Sequence, residues 1–111
     1  MITIPDAVTL IEGNAFMFCP NLEALVIGSG VQMIENDILA GSKKCTTVYY
    51  HGTESQWKNI SIVGRDVTTM FGGNVELLAA AIYFSSDEQP AGEGNYWHYV
   101  DGIPTPWKPE E

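Results

Sequence analysis

One spacing constrains this chain more than any other: through its first half, a residue and the residue 23 places on match in kind. Ile4 corresponds to Ile27 and then to Tyr50, Val8 to Val31, Ile11 to Ile34, and Glu12 to Glu35. Phe16 falls on Leu39, Leu22 on Cys45 and Leu25 on Val48. Turn residues repeat with them, Pro5-Asp6 against Gly28-Ser29. A fixed period in the twenties belongs to architectures built by stacking. A single unit has an apolar face and nothing to bury it against. Successive copies bury one another and build a continuous core in which each touches only its neighbours.

Within one unit, residues 2–4 read as a short strand, which Pro5-Asp6 turns. Val8–Ile11 can form a second extended piece. Glu12-Gly13-Asn14 leads into a brief helical turn, Ala15–Phe18, ended by Pro20-Asn21, and the chain returns as the strand Ala24–Ile27. The second copy repeats this with Val31–Ile34, Asn36 as a helix N-cap, a helical turn Asp37–Ala40, Gly41 as C-cap, and the strand Thr47–Tyr50. Side chains alternate along a strand with period two. Leu25, Ile27, Val48 and Tyr50 are therefore expected to point inward, and Ala24, Val26, Thr47 and Tyr49 outward.

After Gly52 the pattern changes. Thr53-Glu54-Ser55-Gln56 has the form of a capping box, which predicts a short helix carrying Trp57 and Ile60. Residues 61–74 read as loop, with Gly64, Gly72 and Gly73 as breakers. Val75–Phe84 is apolar and ends in a strand, 81–84; Ser85–Asn95 reads as a surface loop. Tyr96–Val100 and Ile103–Trp107 flank Asp101-Gly102, a strong hairpin signal. Pro104, Pro106 and Pro109 confine the second arm to an edge or an extended tail. The expected organisation is two repeat units over residues 1–52 and a C-terminal capping region over 53–111.

The stretch IPDAVTLIEGNAFMFCPNLEALVI, Ile4 to Ile27, resembles the BspA-type leucine-rich repeat, whose copies read much like IPxxVTxIGxxAFxxCxxLxxVxI. Ala15-Phe16 and Cys19 sit at that pattern's Ala-Phe and Cys. VYYHGTESQWKNISI, Val48 to Ile62, resembles the exit from such arrays, and GNYWHYVDGIPTPW, Gly94 to Trp107, a tail that follows them. The second copy is degenerate, with Leu39 for Phe and Ser42 for Cys, and Val63–Leu78 departs from the usual short linker. The resemblance implies a mainly β fold with short helices: a short leucine-rich-repeat solenoid with a hairpin-like C-terminal cap. It also implies a non-enzymatic protein-binding module. Family members are typically surface or secreted adhesion modules, and shorter relatives occur in phage and mobile elements.

Charge narrows the partner. Fourteen acids oppose five bases, for a net charge of −9. From Met1 to Ser42 the chain holds Asp6, Glu12, Glu23, Glu35 and Asp37 and no Lys or Arg. Such a chain repels nucleic acid and anionic membranes and attracts basic surfaces. No apolar run approaches the roughly 20 residues that span a bilayer, so no membrane insertion is expected. The N-terminus lacks a secretory pattern; a complete chain is expected in the cytoplasm, a fragment of a longer one at the surface or secreted. Catalysis is not expected. His51 and His98 have no nucleophile at motif spacing, Asp87-Glu88 lie in a Gly/Pro-rich loop, and no metal-ligand or phosphate-cradle motif is present. Cys19 and Cys45 fit buried thiols better than a disulfide, and neither cofactor nor metal is expected.

Two binding modes follow. A recognition or adhesion module would use outward strand residues, Val26 and Tyr49 with Thr47, and the tail aromatics Trp97, Tyr99 and Trp107. A small acidic inhibitor of anti-CRISPR type would instead block a basic nucleic-acid-binding host protein with Glu12, Glu35 and Asp37. Glu12 and Glu35 stack on adjacent rungs if the repeat register holds. The first strand, Ile2–Ile4, has nothing before it and is expected to be covered by a partner, a folded-back tail or a second copy of the chain.

Overall fold

The computed structural model describes residues 1–70, 72–90 and 94–107. Among the described residues the fold is mainly β with two short helices, and its larger sheet is curled. That sheet has six strands in the order β1 (Ile2–Ile4), β3 (Ala24–Ile27), β5 (Thr47–Tyr50), β7 (Ala81–Ser85), β8 (Tyr96–Val100), β9 (Ile103–Pro106). The smaller has three two-residue strands, β2 (Leu10–Ile11), β4 (Met33–Ile34) and β6 (Ser61–Ile62). All these pairs are parallel except the β8–β9 hairpin.

The repeat spacing is the register of both sheets. Ile4 pairs with Ile27 and Ile27 with Tyr50; Ile11 pairs with Ile34. Each lap of the chain lays one strand in each sheet, and the space between is filled from both sides. Leu25, Ile27, Ile34, Ile38 and Val48 are fully enclosed there, with Leu39, Tyr50 and Ile62. Enclosing a side chain of this size is worth roughly 1.5–3 kcal/mol, so the laps hold one another.

Pairing does not stop at Gly52. β6 continues β4, and β7 continues β5 with Tyr50 opposite Phe84. A third lap therefore runs from Tyr50 to Phe84, half as long again as the lap from Ile27 to Tyr50. The extra length carries α1 (Glu54–Lys58) and α2 (Val75–Ala79). α1 begins with the expected capping box: Gln56 N donates to Thr53 Oγ1 at 3.2 Å, and Thr53 N to Gln56 Oε1 at 2.8 Å. Within 61–74, expected as loop, lies β6.

The expected helical turns at Ala15–Phe18 and Asp37–Ala40 are turns without helix. Alternate N–H groups point sideways, to the next lap, while Ala15 N, Met17 N and Ala40 N bond back to Glu12 O, Asn14 O and Asp37 O within the turn. Asn14 N donates to Asn36 O at 3.0 Å, Phe16 N to Ile38 O at 2.9 Å and Phe18 N to Ala40 O at 2.9 Å. Asn14, Phe18 and Asp37 take positive φ of 63°, 53° and 53° to do so. Asn36 is accordingly no helix cap. Gly41, with φ +76°, lies under the Phe18 ring, where a Cβ would come within 2.2 Å of Cδ1.

One buried side chain splices the long lap onto the short one. Asn74, 2% exposed, donates to Glu35 O at 2.8 Å and Val63 O at 2.7 Å, and accepts from Ile38 N at 3.1 Å. Gly73 O takes the Asp37 N–H at 2.8 Å. These groups stand where a shorter lap would offer backbone.

The hairpin forms as expected about Asp101 (φ 51°) and Gly102 (φ 77°). β9, with Pro104 and Pro106, is the edge strand. Pro109, and residues 91–93 of the expected surface loop, lie outside the described residues.

Candidate protein-interaction site

The outward face of the large sheet is the first candidate surface. The alternation places Val26 and Tyr49 on it, as expected, but it is covered there. Val26 is 2% exposed, Tyr49 8% and Trp97 1%. With Ala24 and the half-buried Tyr83 they form a second apolar cluster, separate from the main core. Trp97, paired with Ser85 at the end of β7, packs over the sheet. Its ring lies 5.4 Å from Tyr49, and Nε1 donates to Tyr50 O at 2.7 Å in a buried bond. Val26, Tyr49 and Trp97, read from sequence as accessible contacts, are interior. An aromatic residue with one N–H to satisfy closes an apolar strip well.

The other tail aromatics divide. Trp107 stacks on His98 at 3.6 Å with planes 9° apart, and its Nε1 donates to Ser86 O at 2.7 Å. It fastens the end of β9 to the chain leaving β7. Tyr99 meets Trp97 edge-on at 4.9 Å yet stays about half exposed. With Val100 and Ile103, also exposed, it makes the apolar end of the hairpin.

The acidic candidates lie on the other sheet. Glu12 and Glu35 directly follow β2 and β4, and Glu35 N donates to Ile11 O at 2.9 Å, so the two do sit on adjacent rungs. They are not equivalent. Glu35 is half-buried, and its carboxylate turns back to accept the Gly13 N–H at 3.1 Å. Asp37 is half-buried at a positive φ, with Asn36 Nδ2 3.4 Å from its Oδ2. Glu12 is exposed, as is Glu23 on the same lap. Acids and tail aromatics thus occupy different sheets and do not converge.

A polar tie across three laps went unread in the sequence. Asp6 Oδ1 accepts the Ser29 N–H at 2.8 Å, and the same carboxylate lies 3.0 Å from His51 Nδ1. The Ser29 N–H first, and His51 second, hold the Asp6 carboxyl below its usual range. The His51 ring also meets Trp97 edge-on at 6.2 Å. The signal was the period itself, since Ser29 stands one period after Asp6.

Chemistry elsewhere is sparse. Cys19 is half-buried and Cys45 buried, both as free thiols, and burial pushes the Cys45 thiol up. An apolar hollow of about 210 Å³ lies between residues 42–46 and α2, with Ala79, Ala80 and Cys45 in its wall. Among the described residues no three His, Cys, Asp or Glu side chains converge to hold a metal ion, and no helix is long and apolar enough to cross a membrane. Comparison with protein-family models, with curated proteins and with solved structures finds no match.

Proposed function

We propose that this chain is a short leucine-rich-repeat solenoid of the BspA type, and that it acts as a non-enzymatic module binding another protein through the acidic side of its first two laps. The carrying observation is an asymmetry. Trp97 covers the outward sheet face over Val26 and Tyr49, whereas the chain from Met1 to Ser42 holds five acids and no Lys or Arg, with Lys43 and Lys44 following only at the end of the second lap. A basic surface is the complement of such a field. Glu12 and Glu23, both exposed, carry recognition; Glu35 and Asp37 contribute charge while serving their turns. The tip residues Tyr99, Val100 and Ile103 are a separate apolar contact.

The acidity favours one version of this function, in which the partner is a basic nucleic-acid-binding protein and the module blocks its channel. Affinity capture with the wild-type chain and with Glu12→Lys/Glu23→Lys tests the reading. The wild type retains a basic protein that raised salt releases, and the reversed pair retains far less. Equal retention by both proteins at every salt concentration would sink the acidic-face assignment.

A further inference from the structure

The second and third laps meet at a hollow. It lies between residues 42–46 and α2, with a volume of about 210 Å³ and a mostly apolar wall. Buried Cys45 and the small side chains of Ala79 and Ala80 form that wall. A cavity of about 150 Å³ holds a benzene ring, so there is room here for one side chain of leucine, methionine or phenylalanine size. There is not room for a drug-sized ligand, whose pockets start at about 300 Å³.

Two side chains of opposite charge line the same hollow from facing segments. Lys43 comes from residues 42–46, and Glu76 from the first turn of α2. Neither forms an ion pair, with the other or with any further described residue. Lys43 is exposed, whereas Glu76 is half-buried. A carboxylate drawn partly out of water without a counter-charge is unfavourable, and an ammonium brought to it makes a strong, charge-assisted hydrogen bond. The Ser42 hydroxyl is already engaged inside the fold, donating to Phe16 O at 2.6 Å and accepting from Cys19 N at 2.8 Å. The charged groups left to a ligand are thus one anion and one cation beside an apolar floor.

We propose that this hollow binds a free apolar α-amino acid, its side chain against Cys45 and the alanines, its ammonium on Glu76 and its carboxylate on Lys43. The pair of unlike charges selects this class. A hydrocarbon satisfies neither charge, a residue inside a peptide carries neither, and an N-terminal residue offers the ammonium alone. A zwitterion is neutral overall, so the net charge of −9 does not repel it. The site belongs to the second and third laps and is independent of the reading of a basic partner. The contact is small, and an affinity of about 1 mM suits a ligand of this size.

Heteronuclear NMR of the full chain, titrated with L-leucine, L-methionine and L-phenylalanine, provides the test. The expected result is saturable shifts with at least one of the three, centred on the amides of residues 42–46 and 76–80. Lys43→Gln and Glu76→Gln are each expected to weaken binding several-fold. Lys44→Gln makes the same charge change outside the hollow and is expected to leave binding unchanged. L-Leucinamide, which lacks the carboxylate, and 4-methylpentanoate, which lacks the ammonium, are each expected to bind at least tenfold more weakly than L-leucine. Ala79→Leu fills the hollow from an exposed position, and is expected to abolish binding with the melting curve unchanged. No saturable shift with any of the three amino acids overturns the proposal, as does binding indifferent to Lys43→Gln or Glu76→Gln. Equal affinity for L-leucinamide would make the ligand a peptide N-terminus, and equal affinity for 4-methylpentanoate would make the hollow a site for any apolar group; either result overturns it too.

Discussion

At the residue scale, single polar side chains reach from lap to lap and settle what the backbone of one lap cannot. Asp6 is one. Its carboxyl is held below the usual range by the Ser29 N–H and by His51. Its contribution is therefore full above the unfolded pKa and is lost as pH falls through the lower folded value. The pair is half exposed, which limits the effect to at most about 1 kcal/mol. Asp6→Asn is expected to lower the urea midpoint at neutral pH and to match wild type once pH is low enough to protonate Asp6 in the folded state. A gap of the same size at both pH values would contradict the assignment. Cysteine gives a second expectation. A thiol-specific reagent added to the native chain should modify half-buried Cys19 first, and buried Cys45 only with unfolding. Residue roles were partly legible in the sequence. Period-two alternation placed Leu25, Ile27, Val48 and Tyr50 inward correctly. It could not reveal that Val26 and Tyr49 are covered, because alternation assigns a side chain to a face and is silent on what lies over that face.

At the element scale, the strands were readable where the period is unbroken, and the third lap was hidden by its extra length. That length carries α1 and α2, so the apolar pattern no longer recurs at the same spacing and β7 reads as an isolated strand. The helical turns were misread for a related reason: every second N–H is satisfied by the neighbouring lap, a choice the local sequence does not encode. Two substitutions measure how firmly the third lap and the hairpin are joined. Asn74→Ala strands Ile38 N and Val63 O in the interior and leaves the part-buried Glu35 O without its partner. At about 1–3 kcal/mol for each buried group left unpaired, it is expected to cost at least about 2 kcal/mol in denaturant unfolding, more than Thr53→Ala at the α1 cap, about 1 kcal/mol. Trp97→Ala removes the cover of Val26 and Tyr49 together with the bond to Tyr50 O, for about 3–5 kcal/mol. It should also open the hairpin to limited proteolysis near Asp101-Gly102. A cost under about 1 kcal/mol for Trp97→Ala, well short of the usual loss for a buried tryptophan, would mean that the hairpin does not close the sheet.

At the scale of the whole molecule, the chain is a stack with two unlike ends. Three laps share one core. The hairpin and its prolines cover one side of the large sheet, and on the other β1, in an acidic lap, pairs among the described residues with β3. The acids were legible in the sequence; the hairpin was legible only as an edge strand, and its work of covering the sheet depends on Trp97, a contact between residues far apart in sequence. The central claim is that the stack continues through the third lap as one cooperative body. Native-state hydrogen exchange read by mass spectrometry tests it directly. Amides of β3, β5 and β7 are expected to exchange slowly and together, with β1 the fastest of the paired strands. Rapid exchange across residues 53–85, while residues 1–52 stay protected, would contradict it.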